Sequence, residues 1–496
     1  MTLKNAETVD VLMLLEGTFP YVRGGVSSWV NRMIQGFPHL RFGIIFLGSA
    51  RDDYRGKPYG IPENVHYFAD YYLYDEASMQ RSRRSSAKLG NLQPVVSAHC
   101  QMKECIAGNT AGVDLHDFAR NFGVDQDQFL RSTEVWQYLL DRYREIPDQP
   151  SFVDYFWTIR GMHAPLWILQ RALEQAPQAR IFHCPSTGYA GYLGTLLSQQ
   201  QGRPLIISEH GIYTKERRID LMLARWIQED KEFLQRAGRI HYLRQLWIHF
   251  FEFLGRVTYQ QSWKIINLYA GVIPLQLADG ADQKKLLTIP NGVRVEQFIA
   301  SRRDFLQREN IVALIGRVVP IKDIKTFIRA ASILQKKGRM TKFWIVGPTE
   351  EDEEYFTKCH ILVTHLGLTA HVEFLGFQSV QEILGKVRLS VLSSISEGLP
   401  LSVLESFAAG VPVVATDVGS CQELVYGADT EAPVPAGKIV PIADPETLAA
   451  AIAALLDDQA AWTHCSENAI ARVEEQYREE QMFGQYRELY EQMMAD

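Results

Sequence analysis

Residues 389–416 read LSVLSSISEGLPLSVLESFAAGVPVVAT. An apolar run closes in small polar residues, a Gly-Leu-Pro turn follows, a helical stretch passes through Glu405, and Gly410-Val411-Pro412 leads into a second apolar run. Strand, crossover helix and strand in that order make a βαβ unit with parallel strands. The alternation continues on both sides. Apolar runs near 310–317, 342–347, 371–375, 389–394, 412–416 and 438–441, with helical periodicity between them, predict a doubly wound α/β domain.

The first half carries a second, less evenly spaced set of runs, near 9–16, 41–48, 64–70, 179–184, 204–209, 263–269 and 285–289. The stretches at about 71–178 and 214–262 are helical or loop-like and aromatic, and are read as insertions on this first sheet. Within them Trp157, Trp167 and Trp247 serve as packing anchors, the commoner use of tryptophan, or as stacking surfaces for sugar rings. Pro290, Asn291 and Gly292 followed by the charged stretch 294–309 mark a linker. The expected division is 1–293, 294–475, and a terminal helix at 476–496 that crosses back to the first domain. Asp444-Pro445 stand in helix-start positions, and 496 residues exceed what one core usually serves.

Composition excludes several classes of function. With 51 basic against 58 acidic residues and a net charge of -7, nucleic acid and anionic membrane are not expected as main partners. The one short basic cluster, RSRRSSAK at 81–88, is either a solvated loop or a contact to anionic lipid or a partner subunit. Six cysteines without CxxC spacing make neither a disulfide framework nor a zinc site. Cys100, Cys105 and His116 lack a fourth ligand at suitable spacing, so they are read as ordinary packing in a reducing cytoplasm. Val11–Leu15 is too short for a signal-peptide core or a membrane span, and no transmembrane segment is expected.

The residues that carry chemistry sit where strands end. After the first run, Glu16-Gly17-Thr18-Phe19-Pro20-Tyr21-Val22-Arg23 leads to Gly24-Gly25, which open a helix. Amides at a helix start attract anions and glycine admits a ligand close to the backbone, although a tight turn without ligand explains the pair equally well. The spacing is not GxGxxG. His210, at the end of Ile206-Ile207-Ser208-Glu209-His210-Gly211, is expected to face a cleft between domains, as a donor to a sugar hydroxyl or as a structural hydrogen bonder.

In the second half, Gly316-Arg317-Val318-Val319-Pro320-Ile321-Lys322 places Arg317 and Lys322 beyond a strand end. There two cations can neutralise a departing diphosphate, surface salt bridging being the alternative. Gly398 permits a tight loop, Pro400 suits a first helical turn, and the amides of 399–401, from Leu399 to Leu401, point toward a phosphate. Glu397 and Glu405 are placed to accept hydrogen bonds from vicinal hydroxyls, with helix-start charge and a structural carboxylate as the alternative.

Taken together, GGV, SEHG, IPNGV, GRVVPIK and SEGLPLSVLE with AAGVPVVATDVGS resemble glycosyltransferase family 4, including its E-x7-E spacing at Glu397 and Glu405. The resemblance implies the GT-B fold, α/β with two facing Rossmann-like doubly wound domains, the first on the acceptor side with helical insertions and the second binding the donor. It further implies a retaining transfer without cofactor or metal. Carried onto these positions, Arg317 and Lys322 bind phosphates, Glu405 the ribose and Glu397 the donor hexose. Gly398, Leu399, Pro400 and Leu401 bind phosphate and sugar through their backbone, His210 the hexose near the reacting carbon, and Gly24 and Gly25 close over donor or acceptor. Family members often have glycine after the lysine, where this chain has Asp323.

A narrower resemblance, in EGTFPYVRGGVSSWV and SEHGIYTKERR, is to the glycosyltransferases of bacterial Pel-type exopolysaccharide synthesis. It implies a UDP-sugar donor such as UDP-glucose or a UDP-N-acetylhexosamine and a growing polysaccharide acceptor of biofilm matrix. The enzyme is then cytoplasmic, or peripheral at the inner membrane on a polysaccharide synthase complex. A nucleotide-sugar epimerase and a catalytically silent donor-sensing scaffold are the competing readings.

Overall fold

Each apolar run becomes a strand in the computed structural model, which describes residues 7–54, 56–74, 92–106, 126–146, 149–224, 242–427 and 434–495. The described chain forms two compact units. One comprises Met1–Asn267, Val272–Thr288 and Leu489–Asp496, the other Leu268–Gly271 and Ile289–Glu488.

In the first unit, β1 (Thr8–Glu16), β2 (Phe42–Gly48), β3 (Val65–Tyr72), β4 (Gln178–Cys184), β5 (Leu205–Glu209), β6 (Lys264–Asn267) and β7 (Leu286–Thr288) form a sheet in the order β3-β2-β1-β4-β5-β6-β7. All its pairings are parallel, with Leu14 beside Ile45 and Met13 beside His183. Residues of β2 are buried throughout, as expected for a strand covered by helices on both faces.

The helices Gln93–Ile106, Gln126–Arg131, Thr133–Arg144 and Phe152–Gln175 precede β4, and Tyr213–Leu223 and Tyr242–Gln261 lie between β5 and β6. Trp167 and Trp247 are buried packing anchors, but Trp157 is 61% exposed, so packing does not account for it. The cluster at 81–88 and His116 lie outside the described residues, as does the side chain of Cys105. Cys100, Cys184, Cys359, Cys421 and Cys465 are free thiols.

Buried polar groups tie this sheet to its surroundings because each must find a partner away from water. His183 Nδ1 meets the Tyr490 hydroxyl at 2.7 Å and its Nε2 meets Ser208 Oγ at 2.7 Å. Glu209 accepts from the Tyr259 hydroxyl at 2.5 Å and from Gln276 Nε2 at 2.8 Å. Asn267 Nδ2 donates to Gln276 Oε1 at 3.0 Å, and Thr288 donates to Asn267 Oδ1 at 2.8 Å. The ends of β5, β6 and β7 are thereby linked through one polar chain.

The second unit repeats the architecture with β8 (Glu309–Ile315), β9 (Lys342–Val346), β10 (Val372–Gly376), β11 (Val387–Leu392), β12 (Val413–Thr416) and β13 (Gly437–Val440), ordered β10-β9-β8-β11-β12-β13 and again parallel. Both sheets reverse their winding once, at β1/β4 and at β8/β11. At such a point neighbouring loops leave in opposite directions and open a crevice at the carboxyl ends of the strands. The Asp444 side chain accepts from the amides of Glu446 and Thr447 and caps the helix Pro445–Asp457, as its sequence signal predicts. No described helix is long and apolar enough to cross a membrane.

Burial pushes the Glu209 carboxyl up to about 7, against the opposing pull of Tyr259 and Gln276, with the Asp279 charge adding to the rise. A carboxyl raised above its unfolded value stabilises the fold most below that unfolded value, and the contribution is lost as pH climbs from about 4.5 to 7. The Glu209→Gln variant, which cannot ionise, is therefore expected to gain stability relative to the parent between pH 5 and pH 8, by up to about 3 kcal/mol. Denaturation midpoints of the two proteins across that range check this, and parallel pH profiles contradict it.

Candidate functional site

At the β8/β11 reversal, the loop after β8 carries Gly316, Arg317 and Lys322, and the loop after β11 carries Ser393, Ser394 and Glu397. Lys322 Nζ donates to Glu397 Oε1, with side chains only 18% and 13% exposed. Ser394 Oγ donates to the same carboxylate oxygen at 2.5 Å. Ser393 Oγ reaches the Lys322 carbonyl at 2.8 Å, and the Ile395 amide donates to the Ile321 carbonyl at 2.8 Å, strapping the lysine loop to the end of β11. A cation and a carboxylate are thus held in contact at the strand edge.

Arg317 stands nearby in sequence but differs in environment. It pairs with Glu351, both side chains being 40% or more exposed. Exposed pairs contribute no more than about 1 kcal/mol, so an incoming anion can replace Glu351 at small cost.

Asp323 occupies the position where glycine is common in the family the sequence resembles. Its φ of 42° and ψ of 52° are left-handed, and its side chain caps the helix Ile324–Lys336 by accepting from the Thr326 amide at 3.3 Å. Aspartate tolerates this conformation better than most residues, and here the cap offsets the strain. The loop keeps a glycine-like backbone without a glycine.

The turn Gly398-Leu399-Pro400 feeds the helix Leu401–Ala408, with Pro400 as its N-cap. Proline has no N–H, so Pro400 supplies no amide, and the first-turn donors are those of Leu401 and Ser402. This removes Pro400 from the expected amide donors at 399–401. Glu405 lies one turn further into the helix and is partly buried.

Two close approaches escaped the sequence reading. A Cβ on Gly419 would lie 2.2 Å from the Glu397 carbonyl oxygen, and one on Gly347 would lie 2.0 Å from that of Gly316. Both glycines follow strands, at VGP and DVGS, which is the signal that was available. Each lets a neighbouring loop press against a site loop.

His210, Gly24 and Gly25 belong to the first unit. Gly25 begins the helix Gly25–Gly36, with Gly24 as its N-cap and open space beside both residues among the described atoms. His210 lines a cavity of about 860 Å³ at the β1/β4 reversal, and its ring lies edge-on to Trp29 at 4.6 Å. Burial, then the nearby Arg32, push the imidazole down to about 3, leaving it neutral at pH 7.

At the same cavity Glu16 accepts from the Tyr213 hydroxyl at 2.6 Å, the Ala190 amide at 3.2 Å and Arg217 Nη2 at 3.4 Å. These residues come from segments some two hundred positions apart, which no local motif joins. Among the described residues, no group of three or more His, Cys, Asp or Glu could hold a metal ion.

Two family models match. One, described as a domain of unknown function (DUF3492), covers residues 9–284, and the other, glycosyl transferases group 1, covers residues 296–472. The chain belongs to the DUF3492 family, whose model spans more than half of it, its second half matches the group 1 glycosyl transferases, and it is a glycosyltransferase of the GT-B fold.

Its relatives include the MMP alpha-(1->4)-mannosyltransferase of Mycolicibacterium hassiacum, 26% identical over 61% of this chain and 69% of that protein. The alpha-D-kanosaminyltransferase of Streptomyces kanamyceticus is 26% identical over 68% of this chain and 86% of its own length. Among solved structures, HepE of Anabaena in complex with UDP and glucose shares the fold with a TM-score of 0.59 at 14% identity, covering 97% of this chain and 99% of that one. Sucrose-phosphate synthase of Thermosynechococcus elongatus also has a TM-score of 0.59, at 16% identity over 98% of this chain and 99% of that one.

The geometry around Lys322 makes its loop sensitive to residue 323. Asp323→Ala loses the cap and strains the left-handed backbone, and is expected to lower unfolding free energy by about 2 kcal/mol, whereas Asp323→Gly stays within about 0.5 kcal/mol of the parent. Denaturant midpoints measure both, and equal losses contradict the conformational argument.

Proposed function

We propose that the chain transfers a hexose or hexosamine from a UDP-sugar to a growing exopolysaccharide of the Pel type, with retention of anomeric configuration and without a divalent metal. The observation that carries this reading is the Lys322–Glu397 pair at the β8/β11 reversal, beside a helix start and within one loop of Arg317. A nucleotide sugar presents an anion and vicinal hydroxyls together, so it can replace both partners of that pair. HepE, which shares the fold, is a protein whose structure holds UDP and glucose.

In this reading Lys322, Arg317 and the amides of Leu401 and Ser402 bind the diphosphate, Glu405 the ribose hydroxyls and Glu397 the hexose. The bond from the anomeric carbon to the diphosphate oxygen breaks as negative charge builds on the leaving group, where the cations stabilise it. The acceptor oxygen bonds to the same carbon from the same face, and its proton passes to a diphosphate oxygen. His210 acts as a neutral hydrogen-bonding group toward the hexose, and Gly24 and Gly25 let the backbone approach donor or acceptor. The site of action is the cytoplasm, with docking at an inner-membrane synthase complex.

The two glutamates separate binding from turnover. Glu405→Ala is expected to weaken UDP binding about tenfold or more, and Glu397→Ala to lower turnover of the UDP-sugar at least as much while changing UDP affinity less. Transfer assays with UDP-glucose and UDP-N-acetylglucosamine, with proton coupling of the product's anomeric position read by NMR, test both roles and the retention. Unchanged kinetics in both variants, or an inverted product, overturn the reading, and interconversion of donor sugars without acceptor favours an epimerase.

A further inference from the structure

The loop after β9 brings five consecutive carboxylates, Glu350, Glu351, Asp352, Glu353 and Glu354, to the strand edge that carries Arg317. This loop is fastened to the arginine loop. The Val318 amide donates to the Pro348 carbonyl at 3.0 Å, the Gly316 amide donates to the Val346 carbonyl at 2.9 Å, and a Cβ on Gly347 would collide with the Gly316 carbonyl. A run of negative charge opposes the binding of an anion beside it, so each of these carboxylates needs a reason to be there.

Four of them have a local one. Glu350 accepts from the Thr349 amide at 3.0 Å, and Asp352 caps the helix Glu353–His365 by accepting from the Tyr355 amide at 2.8 Å. Glu353 and Glu354 stand in the first turn of that helix, where its dipole favours negative charge. Glu351 precedes the cap and takes no part in it. Its carboxylate crosses instead to Arg317 Nη1, on the loop of the neighbouring strand.

That contact changes what Arg317 offers a ligand. Alone, the guanidinium presents a full positive charge, whereas paired with Glu351 it presents almost none. The difference in attraction scales with the charge of the ligand. In a nucleotide sugar each phosphate of the diphosphate has a single ionisable oxygen. A free nucleoside diphosphate has a second one on its terminal phosphate, and such groups ionise near a pH of about 6. Glu351 therefore opposes the free nucleotide more than the nucleotide sugar.

We propose that Glu351 is a specificity-determining residue of the donor site. By competing for Arg317 it favours nucleotide sugars over the more highly charged free nucleoside diphosphates, and it eases departure of the nucleotide after transfer. The inference rests on the reading of this strand edge as a diphosphate site.

The test is calorimetric titration of the full chain at low ionic strength, where surface charges are least screened. The ligands are UDP and the tighter-binding of UDP-glucose and UDP-N-acetylglucosamine, and the proteins are the parent, Glu351→Gln, Arg317→Ala and the double variant. Glu351→Gln is expected to tighten UDP about fivefold and the UDP-sugar by no more than about twofold. In the Arg317→Ala background the same change is expected to alter UDP affinity by less than about twofold, because the competition needs the guanidinium. Both side chains are 40% or more exposed, so neither substitution disturbs the core.

UDP affinity that is unchanged by Glu351→Gln, that rises equally with and without Arg317, or that rises no more than the UDP-sugar's overturns the role of Glu351 and leaves the diphosphate site standing. Absence of UDP binding in parent and Glu351→Gln alike overturns the donor reading, and this inference with it.

Discussion

The contact between Lys322 and Glu397 is the constraint on which the second unit's site depends. Two loops leave the sheet at β8 and β11 in opposite directions, and only a cross-link between them fixes where the cation and the carboxylate stand. Ser393 holds the lysine loop and Ser394 holds the carboxylate, so both charges are oriented before any ligand arrives. A largely shielded ion pair is a poor source of net stability because both groups lose hydration. In the proposed reading its value lies in presenting two opposite charges, side by side, to a ligand that needs both.

Around that contact the surrounding loops are fitted by backbone rather than by side chain. Gly347 and Gly419 admit neighbouring strand-end loops against the carbonyls of Gly316 and Glu397, and Asp323 holds a left-handed turn that its own carboxylate caps. The first unit uses the same sheet reversal to different chemical effect. There the strand ends carry Glu16 and the neutral His210, and helices add carboxylates and aromatic rings. One topology therefore supports a site of paired opposite charges in one unit and an acidic, aromatic one in the other, which follows from the general independence of fold and site.

Much of this was legible from the chain because parallel strands buried on both faces leave uninterrupted apolar runs, as at Val11–Leu15 and 389–392, and each run became a strand. The motif residues after β8 and β11 could be placed at strand ends for the same reason. Two features could not be read. Glu16, Tyr213 and Arg217 meet only through the tertiary fold. The exposure of Trp157 depends on what does not cover it, and tryptophan's usual burial pointed the other way. The missing N–H of Pro400, by contrast, is legible in the residue itself, because proline carries no amide hydrogen at any position.

Calorimetric titration of the purified chain with UDP, ADP and GDP in the presence of a chelator, repeated with Lys322→Ala, tests the central claim most directly. Selective binding of UDP that survives the chelator and falls about tenfold or more in the variant is the expected result. Binding that requires a divalent ion, or that is indifferent to Lys322, would contradict the assignment of this strand edge as a metal-independent diphosphate site.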